Sequence, residues 1–304
     1  MTFQEQSEVW YQGLATRKRS PVKPGSLRTY RSYLDSRILP KIGLVELADF
    51  GNAAMKKFVS SLSRSGLSIK TQTEIISLTK QLVASAITSE GEQLYPRAWN
   101  NDFLDSPLVV PSEQKTPSAT AEQVAAAVQG AEPEYRTLWA LLGGTALRIG
   151  EARALRYGDN GTCSAWDPER GVVVVRRAVY RGIEQSPKTA AGVREVDLPG
   201  NLNQYLKDNC LVKRGAYMFP QSETILRKQL GKTGVEGFHA YRRFCISHWE
   251  NFGVPQSVTM FWSGHAAGTV HEKYIKVREN IEMRKQWIER AGLGFELPKA
   301  EERA

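Results

Sequence analysis

Apolar positions recur at helical spacing through the first ninety residues. Leu27, Tyr30, Leu34 and Ile38 mark one helix, which Ser26 can cap and which Pro40 and Gly43 should stop. Met55, Phe58, Val59 and Leu62 mark a second, with Asn52 as its cap and Gly66 past its end. A third follows Ser68, with Ile75, Leu82, Val83 and Ala86 turned inward, and should close at Gly91. Between residues 94 and 117 the periodicity fails, broken by Pro96, Pro107, Pro111 and Pro117. Thr120 and Gln123 then have the spacing of a capping box, ahead of an apolar helix over 135–145. The valine-rich segments 172–180 and 193–198 predict a pair of strands separated by a long polar turn, and helices return after Pro199. The pattern predicts a mainly α chain with a small antiparallel β-sheet, in two domains: a helical bundle over 1–110, a linker at 111–118, and a second domain over 119–304.

Composition narrows the partner. The 304 residues carry a net charge of +9, with a sequence pI of about 9.4, which favours an anionic polymer. Residues 17–41 hold eight basic side chains against the single Asp35. Such a run can be an ordinary solvated helix face, but Tyr30 and Tyr33 are interleaved with the charges, as suits a phosphate backbone. Arg17, Lys18, Arg19, Lys23, Arg28, Arg31 and Arg37 are therefore candidate contacts to such a polymer. No apolar run reaches membrane-spanning length, and the N-terminus lacks a signal peptide's basic and apolar regions. Three separated cysteines fit a reducing compartment, so a cytoplasmic location is expected.

Four segments carry candidate chemistry. In Thr145-Ala-Leu-Arg-Ile-Gly-Glu, Glu151 lies three residues after Arg148, where it can orient a buried guanidinium; alone, such a pair is usually a surface one. In Ser186-Pro-Lys-Thr-Ala-Ala-Gly-Val-Arg, Lys188 sits in the turn between the expected strands, where most lysines are merely solvated. His239 and Arg242, at i and i+3, share a helix face, so one phosphate could touch both. Cys245 and His248 follow at helical spacing, but a metal reading lacks a fourth ligand and Arg242 would repel the cation. Last, Trp262-Ser-Gly-His runs through small residues to Tyr274, commonly a place for a packing tyrosine. Two guanidiniums, an ammonium, two imidazoles and a phenol suit one task together: holding a phosphodiester while a tyrosine oxygen attacks phosphorus.

Their order and spacing resemble the tyrosine recombinase (phage integrase) family: R-x-x-E near T-x-L-R-I, a hairpin lysine in K-T-x-x-G-x-R, then H-x-x-R, then G-H followed by the tyrosine. The likeness covers about 119–290, and the N-terminal bundle looks like that family's core-site binding domain. Three positions depart from the usual pattern: Ser263 and Tyr241, where leucine is usual, and Arg243, where histidine is frequent.

The resemblance implies a two-domain clamp on double-stranded DNA core sites. Tyr274 would form a 3′-phosphotyrosyl bond, Arg148, Arg242 and His265 would hold the phosphate, Lys188 would act as general acid and His239 as base, with Glu151 behind them. It implies no cofactor or metal, a homotetramer on two duplexes tied by the C-terminal helix, and an accessory directionality factor. It places the protein in a bacterial host, associated with the nucleoid when on DNA. Because the chain opens on what resembles the core-binding domain, it is expected to lack an arm-binding module, as in a minimal phage integrase. Chromosome-dimer or transposon resolvases, a tyrosine topoisomerase and a non-catalytic regulator are the alternatives.

Overall fold

The computed structural model describes residues 1–298 except 20, 111, 113–114, 159, 188 and 266–275. The chain divides into two compact units, Met1–Gln114 and Lys115–Ala304.

The first unit is helical. Helix α1 (Phe3–Thr16) opens on a capping box between Thr2 and Glu5. It buries Phe3, Gln6, Ser7 and Trp10, an inward face half of which is polar. Helix α2 (Pro24–Tyr33) starts at a proline rather than at the expected Ser26 cap, proline being suited to the first turn, where its missing N–H has no partner to lose. Nor does Pro40 stop it. The backbone widens into a π-helical stretch, Leu34–Ile38, in which the Leu39 N–H reaches the Leu34 carbonyl, and continues as α3 (Leu39–Ile42). The wider turn relieves the clash a proline ring makes with the carbonyl four residues back. Helix α4 (Asn52–Ser63) is capped at Gly51 without a side chain. Asn52 instead donates to the Ala98 carbonyl and accepts from the Asn100 N–H, tying the downstream loop. Helix α5 (Ile69–Ala84) has the expected Ser68 cap and ends well before Gly91. The short α6 (Asn101–Leu104) completes the unit, whose core gathers Phe3, Leu34, Ile38, Phe50, Phe58 and Leu82.

The second unit begins with α7 (Ala121–Gln129), under the expected Thr120–Gln123 box, and α8 (Pro133–Thr145), buried along most of its length. The short α9 (Ile149–Arg153) leads into a sheet ordered β1 (Arg156–Tyr157), β2 (Ala165–Asp167), β3 (Val172–Val175) and β6 (Arg194–Asp197). The pair β1–β2 is parallel and the other two are antiparallel, so the sheet is mixed, not purely antiparallel. The expected strand over 172–180 is two strands: β4 (Ala178–Tyr180) leaves to form a separate hairpin with β5 (Ile183–Gln185). Ser164 makes the break. Its buried hydroxyl accepts the N–H groups of Arg176 and Arg177 at 2.8 and 2.7 Å and donates to the Arg177 carbonyl at 3.0 Å. Backbone groups that would have continued the ladder are thereby satisfied locally.

Helices α10 (Gly200–Asn209), α11 (Glu223–Leu230), α12 (Phe238–Phe252), α13 (Gln256–Ser263) and α14 (Ile281–Ala291) close the unit around Trp139, Trp166, Trp249 and Trp262. Helix α14 packs on its own unit, burying Arg284, Ile288 and Ala291. Among the described residues no helix is long and apolar enough to cross a membrane.

Ser164→Ala removes the hydroxyl that two part-buried backbone N–H groups share and should cost about 1 kcal/mol, measured by urea unfolding; an unchanged midpoint would refute that role.

Candidate active site

Glu151 is the centre around which the site is assembled. Helix α8 ends at Ala146, whose φ of 52° lies in the left-handed region rarely taken by alanine, and the chain turns sharply into α9. Gly150 lets α9 approach β4: a Cβ there would lie 2.7 Å from the Val179 carbonyl oxygen. The Glu151 carboxylate, 3% exposed, then accepts four donors. Arg148 gives its backbone N–H and Nη1, both at 2.9 Å, while Arg194 gives Nη1 at 3.2 Å and Nη2 at 3.0 Å. Burial pushes the carboxyl up, but the Arg194 charge and hydrogen bonds, with those of Arg148, outweigh it and hold Glu151 below the usual range.

Arg242, 5% exposed, donates Nη1 to the Ala146 carbonyl at 2.5 Å and Nη2 to the Ser263 carbonyl at 2.7 Å. Its guanidinium is thus fixed by two carbonyls at helix ends, one of them presented by the strained Ala146. Nη2 also lies 3.0 Å from His265 Nε2. Burial, then the neighbouring Arg148 charge, lowers Arg242 from 12.5 to about 10, leaving it a cation at neutral pH. His239 and His265 each keep an exposed edge. Both are pushed below the ordinary histidine value, first by burial and then by the Arg242 charge, so both rings are neutral near pH 7. Two cations backed by protein acceptors and two neutral imidazoles make a pocket suited to a phosphodiester.

Strand β6 ties this pocket to the chain on both sides of residues 266–275. Arg194 Nε donates to the Trp262 carbonyl at 2.6 Å, and Trp262 Nε1 donates to Asp197 Oδ2 at 2.7 Å. Arg284, fully buried, also donates Nε to Asp197 Oδ2 at 2.7 Å and reaches the carbonyls of Val277 and Arg278. Gly264 follows with φ +67°, and a Cβ there would meet Arg194 Nη1 at 2.9 Å. The expected lysine and nucleophile, Lys188 and Tyr274, lie outside the described residues.

Residues 2–63 match the phage integrase N-terminal SAM-like domain. Among solved structures, the chain is similar to the Tn1549 transposon integrase in complex with a circular intermediate DNA, at 19% identity, 94% coverage of each chain and a TM-score of 0.65. It is also similar to a lambda integrase dimer bound to a COC′ core site, at 15% identity, covering 99% of this chain and all of that one, with a TM-score of 0.63. The chain therefore has the fold of these integrases. Comparison with curated proteins gives no match.

Of the expected site residues, Arg148, Glu151, Arg242 and His265 come together through the bonds above, and His239 lies one turn before Arg242 on α12. Arg194 went unassigned in the sequence, although it is the arginine of the K-T-x-x-G-x-R segment; a charged residue alternating in a strand reads as solvent-facing. The departures from the usual pattern have local explanations. Tyr241 stacks on Trp139, with centroids 5.7 Å apart, and Arg243 donates to the Pro117 carbonyl at 2.7 Å. Cys245 is buried with its thiol pushed up by burial, and His248 Nε2 donates to the Ala291 carbonyl at 2.8 Å. Of the basic candidates in the first unit, Arg17, Lys18, Arg19 and Arg28 are exposed, while Lys23 and Arg37 are half-buried. Arg31 is engaged by Glu8 and Asp35 at 2.8 and 3.0 Å, bracing α1 against α2.

Arg194→Leu strips a buried carboxylate of its main partner and should lower stability by about 3–5 kcal/mol, read from urea unfolding at pH 7. Because the folded value of Glu151 is depressed, its contribution is present above its unfolded value of 4.5 and lost as pH falls through the folded one. A Glu151→Gln protein should therefore show a flatter fall in stability below pH 4.5 than wild type.

Proposed function

We propose that this protein is a site-specific DNA recombinase acting through a 3′-phosphotyrosyl intermediate, in phage-type integration and excision of a mobile element. The observation that carries the reading is the seating of Arg242 and Arg148 beside two neutral imidazoles, with Glu151 buried behind them rather than facing the phosphate. Arg148 and Arg242 bind the non-bridging oxygens, and their charge stabilises the pentacoordinate transition state. His239, neutral and exposed at the start of α12, takes the phenolic proton of Tyr274 as that oxygen attacks phosphorus. Lys188 protonates the departing 5′-oxygen. The phosphotyrosyl bond stores the energy of the broken diester, so a 5′-hydroxyl from a second strand can displace the tyrosine without an energy cofactor. The substrate is duplex core sites, with the basic segment 17–41 on phosphates. Four protomers assemble on two duplexes, and an accessory factor sets direction. Similarity to integrases solved on DNA supports the substrate class.

The test is a nicked duplex taken from DNA flanking the gene, incubated with protein and run on a denaturing gel. Wild type should give a covalent band and Tyr274→Phe none, with similar DNA binding by both. Arg242→Gln should slow band formation by roughly a hundredfold, about 3 kcal/mol. Tight binding by wild type with no band would favour the non-catalytic regulator instead.

A further inference from the structure

The inference concerns Ser263 and rests on the recombinase reading only for its bound-state part. His265 is contacted at both ring nitrogens: Arg242 Nη2 lies 3.0 Å from Nε2 and Ser263 Oγ 3.2 Å from Nδ1. A guanidinium has donors and no acceptor, so Nε2 must present its lone pair to Arg242. In the neutral ring the hydrogen then sits on Nδ1, and Ser263 Oγ accepts it. The hydroxyl's own hydrogen goes to the Met260 carbonyl at 3.2 Å. That carbonyl already takes the N–H groups of Gly264 and His265 at the end of α13, so it does not depend on the hydroxyl.

This resting arrangement is the wrong one for a phosphate. A phosphoryl oxygen is an acceptor, whereas Nε2 offers it a lone pair. The charged groups acting on His265 from the surrounding elements are Arg242 on α12, Arg148 before α9 and Arg194 on β6, all cations that oppose an imidazolium. Protonating both nitrogens permanently is therefore a costly route to donation. A serine provides another, because its hydroxyl can accept or donate with little movement. A leucine, usual at this place in the resembled family, could do neither.

We propose that Ser263 is a positioning residue that lets His265 change tautomer in place. When a phosphodiester takes Arg242 Nη2 from His265, Nε2 gains a proton from water and Nδ1 returns one. The Ser263 hydroxyl hydrogen swings from the Met260 carbonyl to the Nδ1 lone pair. Ring charge is unchanged, and the ring plane is held before and after by the same oxygen. Nε2–H then donates to the phosphate.

Histidine-selective ¹⁵N NMR tests this, since the chain has four histidines and His265→Gln identifies the signal. Free protein at pH 7 should show hydrogen on Nδ1 and a bare Nε2; the opposite tautomer overturns the proposal. This measurement needs no DNA, so it stands or falls apart from the recombinase reading. In the Tyr274→Phe protein bound to the nicked duplex, the hydrogen should move to Nε2, and an unmoved signal overturns the proposal as well. Ser263→Ala keeps the backbone bonds to Met260 and should fold normally, as judged by circular dichroism. It should bind the duplex as wild type does and cleave about tenfold more slowly. Cleavage at the wild-type rate would overturn the assignment.

Discussion

A single buried carboxylate sets the order of the second unit. Glu151 meets donors from the turn before α9 and from β6, and a carboxylate removed from water is stable only while such donors surround it. The requirement acts in both directions. Arg194, itself buried, could not stay there without Glu151, and through its other bonds it fixes the carbonyls of Trp262 and Gly192. Arg148, at the edge of this network, is oriented while its side chain remains one-third exposed. A partly exposed cation is positioned here by a partner it shares with a fully buried one.

Arg242 shows a second way of holding a cation. It has carbonyls instead of a carboxylate, and one of them belongs to a residue in a disfavoured conformation. Glycine would take the Ala146 conformation more easily, but the buried methyl is part of the core around α8. Strain of this kind persists only where surrounding packing fixes it. Because neutral carbonyls do not cancel its charge, Arg242 keeps its full attraction for an anion. The pocket thus combines one guanidinium whose charge is shared with a carboxylate and one whose charge is not.

Arg148, Glu151, Arg242 and His265, which the bonds bring together, were legible in the sequence because each sits in a short segment of fixed spacing, and the start of α7 because capping is local. What was lost depended on tertiary context. Helix α1 buries Gln6 and Ser7 beside Phe3 and Trp10, so its inward face has too few apolar positions to announce a period. Gln6 is satisfied by Ser85, 79 residues away, a contact no window can see. Pro40 looked like a terminator, since nothing in the sequence reveals that a π turn will absorb it. The run of valines looked like one strand because Ser164, which divides it, lies a dozen residues earlier. Arg194 was hidden by the same rule that makes strands readable: alternation says which way a side chain points, not whether a buried carboxylate waits there.

Strand β6 has a consequence for folding fidelity. It holds Trp262 twice, with Arg194 on the backbone carbonyl and Asp197 on the indole nitrogen. These residues are three apart, so they leave opposite faces of the strand. A one-residue slip against β3 would exchange the faces, parting Arg194 from Glu151 and Asp197 from Arg284 and releasing Trp262 at both ends. A misregistered chain would thus lose its core and its phosphate pocket in one stroke. Molecules with the wrong strand pairing should be unstable, and so open to proteolysis before they accumulate.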